Sequence, residues 1–369
     1  MSSHNMHKRF SCRSPRKLSV ALATAAAVVV CGTGFAHAAP LPPVTSQPPP
    51  SAQPSFLFDA TDGSANYLGS PIPAGAVIDP NSTAIVNGAN LGTNIPRVGG
   101  PEWQIPIYTT SNADPVYTPK LTKAKSWGCS VDGSMHIPDF ATREVPGNGD
   151  GWIGVYNVDD GTVKSIWQAA KSGGNWNGTC GGSFPVHGNG FNKIVGVGTG
   201  SESQVGAGLM LNSELTAGVV NHALYLTSTN TCRIFREPAG KSDGSGTGST
   251  CWPMGARVQL DPSIDCTALP GATRGEQIVC RTLQIYGGYV LDSGGSGPLS
   301  GIVSAGDDLT DPARSPWKTP GNGMRGTRNC APVSATCGIL ANLGWVGTPT
   351  DLAHIPWNGI RVLARWDGA

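Results

Sequence analysis

The sequence predicts an all-β fold: one β-sandwich or jelly-roll-like domain with a few short helices and long disulfide-tied loops. Three observations carry that expectation. Glycine (51 residues) and proline (30) are abundant while charged residues make up 13% of the chain, which favours many turns and short strands. GWIGVYNV and TVKSIWQA flank Asp160-Gly161, a tight-hairpin signal. ALYLTST, CRIFREP, ARVQLDP, YGGYVLD and GIRVLARW are further strand candidates.

Taken in order, residues 1–38 read as a cleaved secretory signal peptide. His7, Lys8, Arg9, Arg13, Arg16 and Lys17 form a basic start, Leu18 to Val30 an apolar run, and Ala36-His37-Ala38 an A-x-A site. The apolar run is short for a membrane span, and no other stretch approaches one. Residues 39–55, APLPPVTSQPPPSAQPS, form a proline-rich linker that cannot bury a core. Residues 56–369 contain no second linker or repeat and read as a single domain.

Three helices carry start signals. Asp79 is placed to cap a helix through Thr83 to Val86, with Pro80 in its first turn. Ser213 is placed to cap Glu214 to Ala217, ended by Gly218. Thr273 and Glu276 form a capping box for a helix from Gln277 to Tyr286, with Ile278, Val279, Leu283 and Tyr286 on one apolar face. In VVNHALYL, alternation along a strand puts His222 on the face of Leu224 and Leu226, carrying an imidazole inward.

Of ten cysteines, Cys12 and Cys31 leave with the signal peptide. The remaining even number in an exported chain favours disulfides. Cys232/Cys251, Cys266/Cys280 and Cys330/Cys337 each close a local loop, which leaves Cys129 with Cys180, although spacing alone does not fix the connectivity. No metal or cofactor is expected: there is no C-x-x-C, HExxH or Walker loop, and GVGTG lacks a strand–helix setting. No G-x-S-x-G elbow occurs either. A net charge of +1 gives no reason to expect nucleic acid or an acidic membrane surface as a partner.

The chemistry left is four histidines and scattered carboxylates. His136 and His187 lie in polar, turn-rich segments and read as solvated. Asp159, Asp160, Asp261 and Asp265 read as turn formers. The expected catalytic set is His222, His354, Asp292 and Asp150, with Asn221, Trp357, Asn358 and Trp152 as binding residues. Asp150 and Asp292 fit the carboxylate pair of a glycosidase, and either histidine fits the base of a lyase.

GVVNHALYL, CRIFREPAGKSDG, GARVQLDPSIDCTALPGATRGEQIVCRTLQIYGGYVLDSGG and HIPWNGIRVLARWDG, in that order, resemble a group of secreted, often actinobacterial, β-rich proteins. The resemblance runs from about Ile72 to the C-terminus. It implies export and a β-sandwich or jelly roll, and no activity. In the group, the strand hairpin before WQA carries a histidine and acids where this chain has Trp152, Asn157 and Ser165; Asp150 is retained. If those polar residues were a catalytic site, this chain has lost much of it; if not, the site lies around His222, Asp292 and His354. Cys232/Cys251 fits the group's pattern, and Cys266/Cys280 looks like a local addition.

The functional expectation is a secreted carbohydrate-active protein, a hydrolase or lyase acting on a polysaccharide or cell-wall glycan. The alternatives are a non-catalytic glycan-binding or cell-surface protein with structural histidines, and a secreted protein with a protein partner.

Overall fold

The computed structural model describes residues 58–98, 105–131, 133–143, 150–191, 198–295, 299, 301–302, 305–306, 343–345 and 350–365. The signal peptide, the linker, Cys330 and Cys337 lie outside the described residues. The rest is strand-rich with a few short helices, organised on two larger sheets.

The seven-stranded sheet runs, in spatial order, Thr350–Asp351, Arg97–Val98, Gly301–Ile302, Leu224–Ser228, Gly288–Ser293, Arg257–Leu260 and Ile360–Val362. The five-stranded sheet runs Cys180–Pro185, Thr162–Trp167, Ile153–Asn157, Ile105–Thr110 and Ala305–Gly306. Both are open and mixed. Leu224–Ser228 runs parallel to Gly288–Ser293, and Ile105–Thr110 parallel to Ile153–Asn157, where a jelly roll would have antiparallel neighbours. A parallel pair needs a long crossover, and the one between the first two strands contains the helix Arg274–Ile285.

Strand alternation sorts the core. Leu224, Leu226 and Val290 join Val258, Leu260 and the helix residues Ile278, Val279 and Leu283 in one cluster. Ala223, Tyr225, Tyr289 and Leu291 point the other way and meet Ile107, Val163 and Phe184 of the five-stranded sheet. The opposite face of that sheet buries Tyr108, Ile153, Val155 and Ile166 in a third cluster. The strand Leu224–Ser228 is thus buried on both faces, not on its leucine face alone, as central strands with parallel neighbours usually are.

The helices differ from expectation at their starts. The first is Ser82–Ala89, preceded by Asn81; Asp79 instead accepts the Asn81 N–H at 2.7 Å in a turn ahead of it. The second, Asn212–Ala217, includes Ser213, so that residue is not its cap. Glu214 reaches back to the Leu211 N–H at 3.0 Å and satisfies an amide that the helix start leaves unbonded. The Thr273–Glu276 capping box forms as the sequence predicts, opening the helix at Arg274. Between Ile153–Asn157 and Thr162–Trp167 the connection has four residues, 158–161, ending at Gly161 with φ +63°.

Disulfides join Cys129–Cys180, Cys232–Cys251 and Cys266–Cys280. The first spans 51 residues and ties the short helix Ala124–Trp127 to a strand of the five-stranded sheet. On loop-closure entropy alone it contributes about 4 kcal/mol against about 3 kcal/mol for the shortest bridge. Replacing Cys129 and Cys180 together by serine is expected to lower the denaturant midpoint more than opening Cys232–Cys251, measured by equilibrium unfolding of the two variants side by side.

Candidate functional site

His222 lies just ahead of the strand Leu224–Ser228 and is 4% exposed. Its Nδ1 is 2.9 Å from the Ala223 carbonyl and its Nε2 3.0 Å from Glu214 Oε2. A carbonyl only accepts, so Nδ1 carries a proton; with Glu214 ionised, Nε2 carries one too, and the ring is an imidazolium. Burial pulls its pKa down, but the charge and hydrogen bond of Glu214, with the Ala223 bond, outweigh this and leave it above 6.5. His222 is therefore the buried partner of a helix-start glutamate.

His354 also meets a helix-start glutamate, but its ring is exposed and only Nδ1 is engaged. Its Nδ1 is 2.9 Å from Glu276 Oε2, and its backbone N–H donates to Glu276 Oε1 at 2.9 Å. Glu276 also accepts from the Thr273 N–H and hydroxyl. Burial raises the Glu276 pKa, but those hydrogen bonds bring it below its usual value. Each expected catalytic histidine is held by its own glutamate, and no hydrogen bond or ion pair among the described residues joins either one to Asp292.

The binding set is dispersed as well. Trp357 is 3% exposed, donates Nε1–H to the Leu352 carbonyl and belongs to the first core cluster. Trp152 is buried in the second. Neither can present an open ring face to a sugar. Asn358 is exposed on the turn Trp357–Gly359, and Asn221 is half-buried beside His222. Asn157 and Ser165 are buried within their strands. The turn-forming aspartates behave as expected: Asp160, Asp261 and Asp265 each accept the N–H two residues on.

Asp292, by contrast, meets Asp243, and the exposed Asp150 lies near enough for its charge to act on Asp292. A β-bulge sets this up. Tyr225 pairs with Tyr289 and Leu226 with Val290, but Thr227 then pairs with Asp292, leaving Leu291 extra. The extra residue turns Asp292 onto the face of Tyr225, whose hydroxyl donates to Asp292 Oδ2 at 3.0 Å. Thr199 Oγ donates to the Leu291 carbonyl at 3.1 Å. Asp292 Oδ1 accepts from the Ser293 N–H at 2.9 Å.

Asp243 sits on the loop between Gly240 and Thr250, pinned by Cys232–Cys251 and by Ser242 Oγ donating to the Cys232 carbonyl at 2.6 Å. Its Oδ1 accepts from Ser293 Oγ at 2.6 Å, and that hydroxyl also bonds Thr231. A Cβ on Gly200 would lie 2.6 Å from Asp292 Oδ1 and 2.7 Å from Asp243 Oδ1, so the two carboxylates flank one glycine. Only glycine leaves room for both.

Asp150 stands before the strand Ile153–Asn157, with Gln168 N–H donating to its carbonyl at 3.1 Å. Burial pushes the Asp292 carboxyl up first, and the charge of Asp243 next; the Tyr225 bond lowers it and Asp150 raises it again, to about 7. Desolvation raises Asp150, the Trp167 indole lowers it by hydrogen bonding, and Asp243 raises it. Tyr225 is driven well above the usual phenol range by burial and by the charges of Asp292 and Asp150. Two non-glycine residues in the left-handed region border the cluster, Gln168 (φ +52°) and Glu202 (φ +65°), the kind of strain that gathers at functional sites.

Asp243 was not among the residues the sequence singled out; its GKSDGSG loop was read only as a loop, and nothing in the chain marks its approach to a strand 49 residues further on. A hollow of about 430 Å³ beside Phe235 and Ala239 offers no comparable chemistry: its one acid, Glu237, is bound to Arg365 at 2.6 Å. No group of three His, Cys, Asp or Glu among the described residues is arranged to hold a metal ion. No helix among them is long and apolar enough to cross a membrane. No family model, curated protein or solved structure matches this chain.

The His222–Glu214 pair has a definite pH signature. A folded-state pKa raised above 6.5 contributes stability that is complete below 6.5 and lost as pH rises through the raised value. His222→Leu is expected to cost about 2 kcal/mol at pH 6 by leaving the partly buried Glu214 carboxylate without its ring partner. The gap to the parent should narrow at higher pH; unfolding midpoints taken from pH 5 to 9 check both.

Proposed function

We propose that this chain is an exported carbohydrate-active hydrolase, with its acid–base centre at Asp292, Asp243 and Asp150. One observation carries the reading: two carboxylates meet with a third nearby, and the most desolvated of them keeps its proton near neutrality. Glycoside cleavage needs that pairing, one carboxylic acid to protonate the leaving oxygen and one carboxylate to act on the sugar carbon.

In this reading Asp292 is the acid. Tyr225 donates to its Oδ2 and the Ser293 N–H to its Oδ1, and Oδ1, the oxygen beside Gly200 and Asp243, is the one assigned the proton. Asp243, exposed and oriented by Ser293, is the carboxylate that attacks or activates water. Its closeness to Asp292 across Gly200 favours the retaining class, whose carboxyls stand about 5 Å apart. Asp150 adds the negative charge that keeps Asp292 protonated, and the exposed Trp127, stacked on Trp167, supplies a flat face for a sugar ring.

The same proposal covers export by the segment 1–38, a single domain over 56–369, and membership in the secreted β-rich group. The second cluster, packed between the two larger sheets, supports a sandwich-like scaffold. A second reading, glycan binding without turnover, is favoured by Trp127 alone. Lyase chemistry through His222 loses its motivation, because both nitrogens of that buried ring are bonded.

Asp292→Asn is expected to reduce release of reducing sugar by about 10³-fold or more while leaving glycan binding intact. The parent's rate should fall as pH rises through about 7, when Asp292 loses its proton. Assay of the parent and the variant on plant, fungal and bacterial polysaccharides decides it; binding with no product from the parent on any of them sinks the hydrolase reading.

A further inference from the structure

The charge of this protein is unevenly placed. Pro115 to Val131 and Gly161 to Pro185 contain no acidic residue and five lysines, although the whole chain carries +1. The two segments are brought together. Lys120–Leu121 pairs with Asn175–Gly178, which pairs with Ala170–Ser172, and Cys129–Cys180 bolts them at one end. Lys164 is used internally, donating to the Ser134 carbonyl at 2.9 Å. Lys120, Lys123, Lys125 and Lys171 are exposed.

Aromatic rings are interleaved with these ammonium groups. Lys171 Nζ lies 5.1 Å from the Tyr117 ring centroid, and Lys123 Nζ 5.2 Å from that of Trp127. Trp127 is 44% exposed and stacks on Trp167 at 6.1 Å with 27° between planes. Gln168, the residue after Trp167, donates its N–H to the Asp150 carbonyl at 3.1 Å, so the lysine-bearing surface adjoins Asp150. Arg143 stands at the junction. Its Nη1 lies 2.7 Å from where a Cβ on Gly151, the residue after Asp150, would be, and Gly151 has φ +68°.

We propose that this surface binds an anionic glycan, a chain of uronate sugars, with Trp127 as the stacking platform and Lys123, Lys171 and Arg143 as carboxylate partners. The inference rests on the hydrolase reading and deepens it by naming the substrate class. Sugar rings stack on an indole through their apolar face, and ammonium groups at its rim select rings that carry carboxylates. The three aspartates disfavour an anion in their immediate neighbourhood, so the lysines hold units away from the bond being cut. Stacking on exposed aromatics also serves nucleic acids, but the chain as a whole lacks the basic excess such binders carry.

The test is titration of the full chain with a polygalacturonate oligomer, its methyl ester, and a single-stranded thymidine oligomer of equal charge. The free acid should bind about tenfold more tightly than the ester at 50 mM salt and lose about that advantage by 300 mM. Lys123→Gln/Lys171→Gln should remove the preference for the acid, and Trp127→Ala should weaken acid and ester alike. Equal binding of acid and ester, an unchanged lysine variant, or equally tight thymidine binding overturns the proposal. Asp292-dependent cleavage of a neutral glycan without binding of the acid oligomer sinks this inference and leaves the hydrolase reading standing. Acid-selective binding with no cleavage of any glycan does the reverse.

Discussion

The candidate site depends on one extra residue. Leu224–Ser228 and Gly288–Ser293 run side by side in parallel, buried on both faces, and an unbroken register would set Asp292 opposite Ser228. The bulge at Leu291 sets it opposite Thr227, on the face that carries Tyr225. A carboxyl delivered to a partly buried strand end needs a hydrogen-bond donor or a proton. It has both, the Tyr225 hydroxyl and a pKa of about 7. The bulge would leave the Leu291 carbonyl without a ladder partner, and Thr199 supplies one. Asp243, Gly200 and the loop from Gly198 to Ser203 all take their places around that bent strand end.

Two glutamates at helix starts do comparable work on the scaffold. Each satisfies amides that its helix leaves unbonded, then uses its remaining capacity on a histidine from another part of the chain. Glu214 anchors the approach to the central strand through His222. Glu276 anchors the segment carrying His354 to the start of the long helix. Burying such a carboxylate alone would be costly; pairing it makes the helix start a fixed point from which strands are registered. His222 is enclosed with both ring nitrogens bonded, while His354 is held through Nδ1 and keeps an exposed ring.

That is why the sequence was legible in some places and misleading in others. Local signals survived: the Thr273–Glu276 box, the apolar face of its helix, the strand cores and the turn aspartates all depend on neighbours within four residues. Reading VVNHALYL as one strand carried His222 to the leucine face, but the strand opens at Leu224, and a remote glutamate takes the ring. Trp357 and Trp152 looked like sugar platforms by type, and only three-dimensional packing shows them enclosed. Asp150 and Asp292 could be nominated as a pair. Their proximity, the arrival of Asp243 and the bulge that aims Asp292 are long-range facts with no counterpart in residue spacing.

The carboxylate cluster and the lysine surface are best understood as one electrostatic arrangement. Burial, and after it the charges of Asp243 and Asp150, raise the Asp292 pKa, which is useful only if water is kept back and the charge is not simply neutralised by a nearby ammonium. Trp167 stands between the two regions: it stacks on Trp127 on one side, and on the other its neighbour Gln168 donates its N–H to the Asp150 carbonyl. The Cys129–Cys180 bridge holds that spacing, because Cys180 lies directly opposite Trp167 in the sheet while Cys129 follows Trp127 by two residues. In the proposed reading, where charges further apart than about 8 Å are screened from one another, the Trp127–Trp167 stack between the lysines and the aspartates would let an anion be held on the lysines without discharging the acid at Asp292.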